Sequence, residues 1–359
     1  MRFWLGIEST AHTFGVSIVS EDGEILADER DVYVPPAGGL QPREVARHHT
    51  NVAPSVLKRA FQRTGIAPSR VSAVGVSYGP GLGPCLRVGV SVARALSSYY
   101  GWKLFGVNHT VGHVELSRLL SGFSDPLAVY VSGGNTNIVA WKDGRYRIFG
   151  ETLDIAVGNL FDSFAREVGL QHPGGPKIEK LAREGKKLGL VELPYSVKGQ
   201  DVSFSGLLTA AVKAYKRGER LERVAYSLQE IAFSMLAEAA ERALVHTRKD
   251  SMISAGGVAA NSRLNEMLSL VAAEHSIPFF ATPVKMAGDN GIMIAAVTME
   301  MDLGGVEPSD PLKLLPTPKL RMNDTDVYWR ITGMRLRLRG DEQPGVSKRG
   351  IAYSKGSRG

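Results

Sequence analysis

The sequence predicts an α/β protein built of two lobes, and three observations carry that prediction. Residues 3–29, "FWLGIESTAHTFGVSIVSEDGEILADE", run from an apolar strand through a small polar turn into a second strand, a tight "DG" turn and a third strand. Residues 127–152, "LAVYVSGGNTNIVAWKDGRYRIFGET", repeat the rhythm, which reads as a duplicated three-stranded meander opening each lobe. After each meander, short apolar strands alternate with helical patterns, as expected of a sheet covered by helices. A chain of 359 residues, 43% hydrophobic and 22% charged, is long enough to bury the core of two such units.

The first lobe is assigned to residues 1–125. Its meander is followed by "PREVARHHTNVAPSVLKRAFQRTG", where Val45, Val52, Val56, Leu57, Ala60 and Phe61 are the apolar positions. Pro54 lacks the N–H that a continuous helix uses, so the segment reads as two short helices, a helical insertion near 43–64 that stops at Gly65. "VSAVGVSYGPGLG" is a strand leaving into a glycine loop, "VGVSVARALSSYYG" a helix, and "KLFGVN" a brief strand that delivers "HTVGHVELS" to a helix.

The second lobe is assigned to residues 126–300. Here "AVGNLFDSFAREVGL" is helical after Gly158, "QHPGGP" is a turn, and a helix follows from Ile178. In "LERVAYSLQEIAFSMLAEAAERALVHTRK", Leu228, Ile231, Met235, Ala239 and Leu244 form one core-packing stripe. Strand "SMISAGG", helix "VAANSRLNEML", strand "PFFATP" and a long helix behind Asp289 complete the lobe. Residues 301–332, with the proline-rich "EPSDPLKLLPTPKL", read as a strap returning over the lobes.

The net charge is +7, and residues 333–359 account for most of it, with seven Lys or Arg against Asp341 and Glu342. That basic tail is expected to be flexible, either solvated or a phosphate-contacting arm. Cys85 is the single cysteine, which excludes an internal disulfide and a cysteine-rich zinc site. No apolar run of membrane-spanning length and no signal segment are legible, so the expected location is the cytoplasm, with no membrane partner.

His109 and His113 stand four residues apart, so a helix presents both imidazoles on one face. A pair alone is compatible with two helix histidines that have nothing between them, because metal sites take at least three protein ligands. Tyr130 at a strand end and Asp289 just before a helix are the residues that would complete a two-nitrogen, two-oxygen set for iron, zinc or manganese. The glycine turns "VSGGNT", "HPGGP" and "SAGGVAAN" lie in one lobe, two of them opening helices, a pattern suited to a nucleotide's phosphates. Each is equally a turn that needs glycine for its backbone. Ser132, Asn135 and Thr136 offer hydrogen bonds to phosphate or ribose, and Asp162, Glu179 and Asn261 offer acceptors for ribose hydroxyls or a purine edge. Neither a P-loop nor a strand-linked "GxGxxG" occurs.

Ten segments, "GIESTAHT", "PREVARHH", "GPGLGPCLRVG", "NHTVGH", "YVSGGNT", "GNLFDSFAR", "HPGGP", "VKGQDVSFSGLLT", "AGGVAANSRL" and "MAGDNG", stand in the order and spacing of a known family. Over residues 1 to about 330 the chain resembles the universal tRNA threonylcarbamoyltransferases in their archaeal and eukaryotic form, the catalytic subunit of the KEOPS complex. The resemblance implies the two-lobed actin, heat-shock ATPase and sugar kinase (ASKHA) fold with a cleft between the lobes. It implies His109, His113, Tyr130 and Asp289 as ligands of one divalent metal per subunit, iron foremost, with zinc or manganese as alternatives. It implies Tyr130, Val131, Ser132, Gly133, Gly134, Asp162, Gly175, Glu179 and Asn261 as contacts of ATP, AMP or threonylcarbamoyl-AMP.

The implied reaction moves a threonylcarbamoyl group from threonylcarbamoyl-AMP to the exocyclic amine of adenosine 37, beside the anticodon of tRNAs reading codons that begin with A, and releases AMP. The implied partners are tRNA and the other KEOPS subunits, including a small atypical protein kinase and a small dimerising subunit, with the segment at 43–64 as the first candidate surface. The chain departs from the family at Ser9, commonly glycine, and Gln200, commonly methionine; neither is a ligand position. The segment beyond about 333 has no counterpart in the pattern, and no kinase sequence follows. Two rival readings are a metalloprotease, against which Thr110, Val111 and Gly112 leave no glutamate between the histidines, and a nucleotide-switched scaffold.

Overall fold

The computed structural model describes residues 1–35 and 39–338. Strands β1 (Phe3–Glu8), β2 (Thr13–Ser20) and β3 (Glu24–Val32) form the first meander, and helix α1 (Pro42–Thr64) follows. Then come β4 (Val71–Gly79), α2 (Gly83–Tyr100), β5 (Lys103–Asn108) and α3 (His109–Ser121). Strands β6 (Leu127–Val131), β7 (Thr136–Lys142) and β8 (Arg145–Glu151) form the second meander, followed by α4 (Val157–Glu167) and α5 (Gly175–Gly185). A small ribbon of β9 (Val197–Lys198) and β10 (Asp201–Val202) precedes α6 (Ser205–Lys216) and α7 (Leu221–Thr247). The chain continues through β11 (Met252–Ala255), α8 (Ser262–Glu274), β12 (Phe279–Ala281), α9 (Val284–Ala287), α10 (Gly291–Leu303) and β13 (Arg337–Leu338).

The repeat seen in the sequence is a repeat of topology. The first sheet has the order β13-β3-β2-β1-β4-β5 and the second β12-β11-β6-β7-β8. In each, the meander is antiparallel and its first strand pairs in parallel with the first of two later strands, β1 with β4 and β6 with β11. Helices α1 and α2 pack on the outer face of the first sheet, and α7 with its neighbours on the outer face of the second. Between the sheets lie α3 and α10, joined to both by one apolar core that includes Trp4, Phe105, Val114, Tyr130 and Met293. The contact of α10 with the first sheet is at backbone distance: a Cβ on Gly6 would stand 2.2 Å from the Ala295 nitrogen.

Two expectations differ from the structure. Residues 42–64 form one helix and not two. Pro54 lies on its exposed face, so the carbonyl that loses its N–H partner faces water, which removes most of the reason to break. The start of the basic tail is also ordered: Leu336 is buried and Arg337–Leu338 adds a parallel strand beside Glu24 and Ile25. The remainder, 339–359, lies outside the described residues.

The segment after α10 crosses both sheets. Leu104 O accepts from Ser309 N, Tyr78 O from Thr317 N and Gly144 O from Val327 N. No helix among the described residues is long and apolar enough to cross a membrane.

Candidate metal centre and its cleft

Helix α3 begins where β5 ends, and Asn108 caps it by accepting from Thr110 N at 2.9 Å and Val111 N at 3.3 Å. The Asn108 amide in turn donates to Thr325 Oγ1 at 2.8 Å, tying the helix start to the strap. Asn290 caps α10 in the same way, accepting from Met293 N at 3.0 Å while its amide holds Met286 O and Gly288 O. The loop between those anchors carries Asp289.

His109 and His113 therefore leave α3 on one face, with ring centroids 4.7 Å apart and planes at 88°. Asp289 Oδ1 lies 3.3 Å from His113 Nε2 and 3.6 Å from His109 Nε2. The ligand atoms of the three residues fall within 4.8 Å of one another. Two donors each about 2.1 Å from one ion at tetrahedral or octahedral angles stand roughly 3.0–3.4 Å apart, close to the two separations measured from Asp289 Oδ1. Tyr130 completes the arrangement. Its ring centroid is 5.6 Å from that of His113, it is wholly buried, and its hydroxyl makes no hydrogen bond of normal length and angle, the Ser132 and Asn135 side chains being the nearest polar groups that act on it. A buried hydroxyl without such a bond is costly, and a cation beside it removes the cost.

Charges are arranged to match. Burial disfavours a charged His109, but the Glu8 carboxylate, together with Asp289, outweighs it and lifts the imidazole to about 9. Burial also holds His113 below its ordinary value, and it raises the Tyr130 phenol. For Asp289 burial is outweighed by His113 and His109, so its carboxyl stays below the usual range. The set is thus two imidazoles and a carboxylate, with a phenol whose proton a cation would have to displace.

These residues close the floor of a cleft of about 1170 Å³ lined by both lobes and the strap. His109, Tyr130 and Asp289 are among the residues that line it, and His113 is not. Ser132, Gly133 and Gly134 line it, as do Asp162, Gly175, Glu179 and Asn261. A Cβ on Gly133, Gly134 or Gly175 would meet nothing within 4 Å, so crowding inside the protein does not demand glycine there. Val131 is different: its side chain is in the core of the second lobe and does not line the cleft.

Several of the polar candidates are already engaged. Ser132 Oγ accepts from Asn135 N at 3.0 Å, and Thr136 Oγ1 accepts from Val157 N at 2.9 Å, joining the hairpin turn to the start of α4. Asn261 caps α8 and donates to Gln229 Oε1 at 3.0 Å. Glu179 Oε1 accepts from the Ser262 hydroxyl at 2.6 Å and from Arg183. Asp162 Oδ1 accepts from Gly174 N at 2.6 Å. Ser132, Asp162, Glu179 and Asn261 thus shape the cleft wall as well as face it, while Thr136 is buried and does not line it.

Sequence reasoning passed over Glu8 and Thr10, beside His109, and His12, His172, Lys319 and Arg321, which line the cleft. The duplication held the signal for the first three. "ESTAH" ends the first strand of one meander just as "VSGGN" ends it in the other.

A family model described as tRNA N6-adenosine threonylcarbamoyltransferase matches residues 24–296. The "Probable bifunctional tRNA threonylcarbamoyladenosine biosynthesis protein" of Methanocaldococcus jannaschii is 49% identical over 93% of this chain, which spans 62% of that relative's length. The tRNA N6-adenosine threonylcarbamoyltransferase of Methanopyrus kandleri is 48% identical over 90% of this chain and 96% of its own, and that of Thermococcus gammatolerans 49% identical over 90% and 99%. Among solved structures, full-length HypF in its phosphate- and nucleotide-bound form aligns with a TM-score of 0.61 at 10% identity, over 86% of this chain and 56% of that one. HypF of T. kodakarensis aligns at 0.60 with 14% identity, over 87% and 49%. At such identities these likenesses concern the fold, which is the two-lobed ASKHA fold.

Proposed function

The chain belongs to the tRNA N6-adenosine threonylcarbamoyltransferase family, and we propose that it moves a threonylcarbamoyl group from threonylcarbamoyl-AMP to N6 of adenosine 37, beside the anticodon of tRNAs that read codons beginning with A. The observation that supports this reading best is the continuity of one cleft. Open glycine turns and polar side chains of the second lobe run directly onto the floor formed by His109, Tyr130 and Asp289.

In this reading the N-termini of α4 and α8 favour the donor's phosphate, and Gly133 and Gly134 let it approach the backbone. Asp162 and Glu179 face its ribose. His109, His113, Tyr130 and Asp289 hold one divalent metal, iron foremost, with zinc or manganese as alternatives. Bound there, it supplies Lewis acidity toward a carbonyl and an anchor for an anionic donor. The donor is a mixed anhydride: N6 attacks its carbonyl carbon, the bond from that carbon to the phosphate oxygen breaks, AMP departs, and the amine proton is released to water. The good leaving group makes orientation sufficient, and no side chain is assigned as a general base.

The partners in this reading are tRNA and the other subunits of a KEOPS-type complex, among them a small atypical protein kinase and a small dimerising subunit. The word "bifunctional" in the name of the M. jannaschii relative supports such a context. A peptidase is disfavoured because Thr110, Val111 and Gly112 separate the histidines, and Glu8 and Glu115 are both buried and hydrogen-bonded. The test is reconstitution with threonylcarbamoyl-AMP, unmodified tRNA and the partner subunits, followed by nucleoside analysis. Threonylcarbamoyladenosine in the digest supports the reading; unmodified adenosine beside intact donor defeats it.

A further inference from the structure

We propose that Glu8 is a positioning residue of the metal centre, fixing the His109 imidazole so that Nδ1 carries the proton and Nε2 presents its lone pair toward Asp289. The inference rests on reading His109, His113, Tyr130 and Asp289 as metal ligands. Glu8 is fully buried, and its Oε2 stands 3.0 Å from His109 Nδ1. Its other oxygen, Oε1, accepts from Thr10 N at 2.7 Å and from Thr10 Oγ1 at 2.5 Å. The Thr10 hydroxyl spends its one proton on Glu8, so toward Nδ1, 3.2 Å away, it offers a lone pair. Both groups facing Nδ1 are therefore acceptors, and the ring nitrogen between them must be the donor. In the neutral ring that leaves the lone pair on Nε2.

The support continues outward through the "GPGLG" loop, which the nucleotide reading leaves without a role. Leu82 N donates to Thr10 O at 2.8 Å, and Gly81 N donates to Pro318 O of the strap at 3.2 Å. A Cβ on Gly81 would stand 2.7 Å from that same Thr10 oxygen, so the loop lies against Thr10 at a distance that excludes a side chain. Strap, loop, Thr10 and Glu8 thus form one line of contacts ending at His109. A carboxylate behind a ligating imidazole fixes its tautomer and orientation and raises its basicity.

Cobalt(II), titrated into the full-length metal-free chain and followed by its visible absorption bands, tests the assignment. Glu8→Gln is expected to shift the bands, because a neutral acceptor replaces the charge, and to weaken cobalt binding by about 10- to 100-fold at a pH where His109 is already neutral and no proton competes for Nε2. Thr10→Val, close in shape to the original, removes only the hydroxyl and is expected to shift the bands with a smaller loss of affinity; it carries the test should Glu8→Gln fail to fold. Variants that bind within about twofold of wild type with unmoved bands overturn the assignment even where the melting temperature falls, since that pattern belongs to a packing residue. Wild-type protein that binds no cobalt overturns the metal centre itself, and the role of Glu8 with it.

Discussion

The Arg118 guanidinium of α3 lies 2.5 Å from the Glu300 carboxylate of α10, and neither side chain is more than 2% exposed. The same guanidinium binds Glu115 at 2.5 Å, Tyr146 of β8 donates to Glu115, and Arg330 of the strap reaches it at 3.2 Å. This buried ionic knot joins the two helices whose N-terminal ends bring His109, His113 and Asp289 together. Arg118→Met removes the one cation that bridges Glu115 and Glu300, and buried pairs broken on one side cost about 3–5 kcal/mol. Urea denaturation should show a loss of that order. A change under about 1 kcal/mol would mean the knot is not holding the helices.

Glu300 makes the knot pH-dependent. Burial, aided by Glu115 and opposed by Arg118, raises its carboxyl to about 7 from an ordinary value of 4.5. The folded state keeps the proton that the unfolded chain gives up first, so this group's contribution is full below 4.5 and is lost as pH rises through 7. Glu300→Gln cannot lose a proton. The stability of the variant relative to wild type should therefore climb between about pH 5 and pH 8, measured as the difference of two unfolding curves at each pH. A difference that is flat with pH contradicts the placement of Glu300.

His109 runs on the same sign. Its imidazole, lifted to about 9 by Glu8 and Asp289 against burial, must shed a proton before it can ligate. Affinity for a divalent cation should rise by at least about tenfold per pH unit between pH 7 and 9, since binding releases the His109 proton and the Tyr130 phenol gives up a second one where it ligates. Titrations at four pH values decide it, with a pH-independent affinity as the contrary result.

Much of this was legible in the sequence. The duplicated meander announced two equivalent sheets, because strand periodicity and "DG" turns are local signals, and the sheets do share one strand order. The four-residue spacing of His109 and His113 announced a shared face. Convergence with Tyr130 and Asp289 was not readable from spacing, since it depends on how α10 crosses β1 at Gly6. The unbroken α1 was missed because exposure of Pro54, which decides its cost, is a tertiary property. Glu8 was hidden for a similar reason: a carboxylate at a strand end gains its meaning only from the imidazole brought to it by α3, a hundred residues on.

Gly134 separates shape from function in the cleft. Its Cβ position is open, so Gly134→Val should leave stability within about 0.5 kcal/mol of wild type. The added side chain would occupy the space proposed for the donor, and calorimetric titration with AMP should show weakened binding. Unchanged AMP affinity places the nucleotide elsewhere.

In the proposed reaction one cleft holds the donor over a metal centre and passes its acyl group to tRNA. The most direct measurement is the ratio of AMP released to threonylcarbamoyladenosine formed, in the presence of partner subunits, for wild type and for Asp289→Asn. Wild type should give equal amounts of the two products, and the variant, still folded, neither above background. AMP release without modified tRNA from wild type, or full transfer by the folded variant, would contradict that reaction.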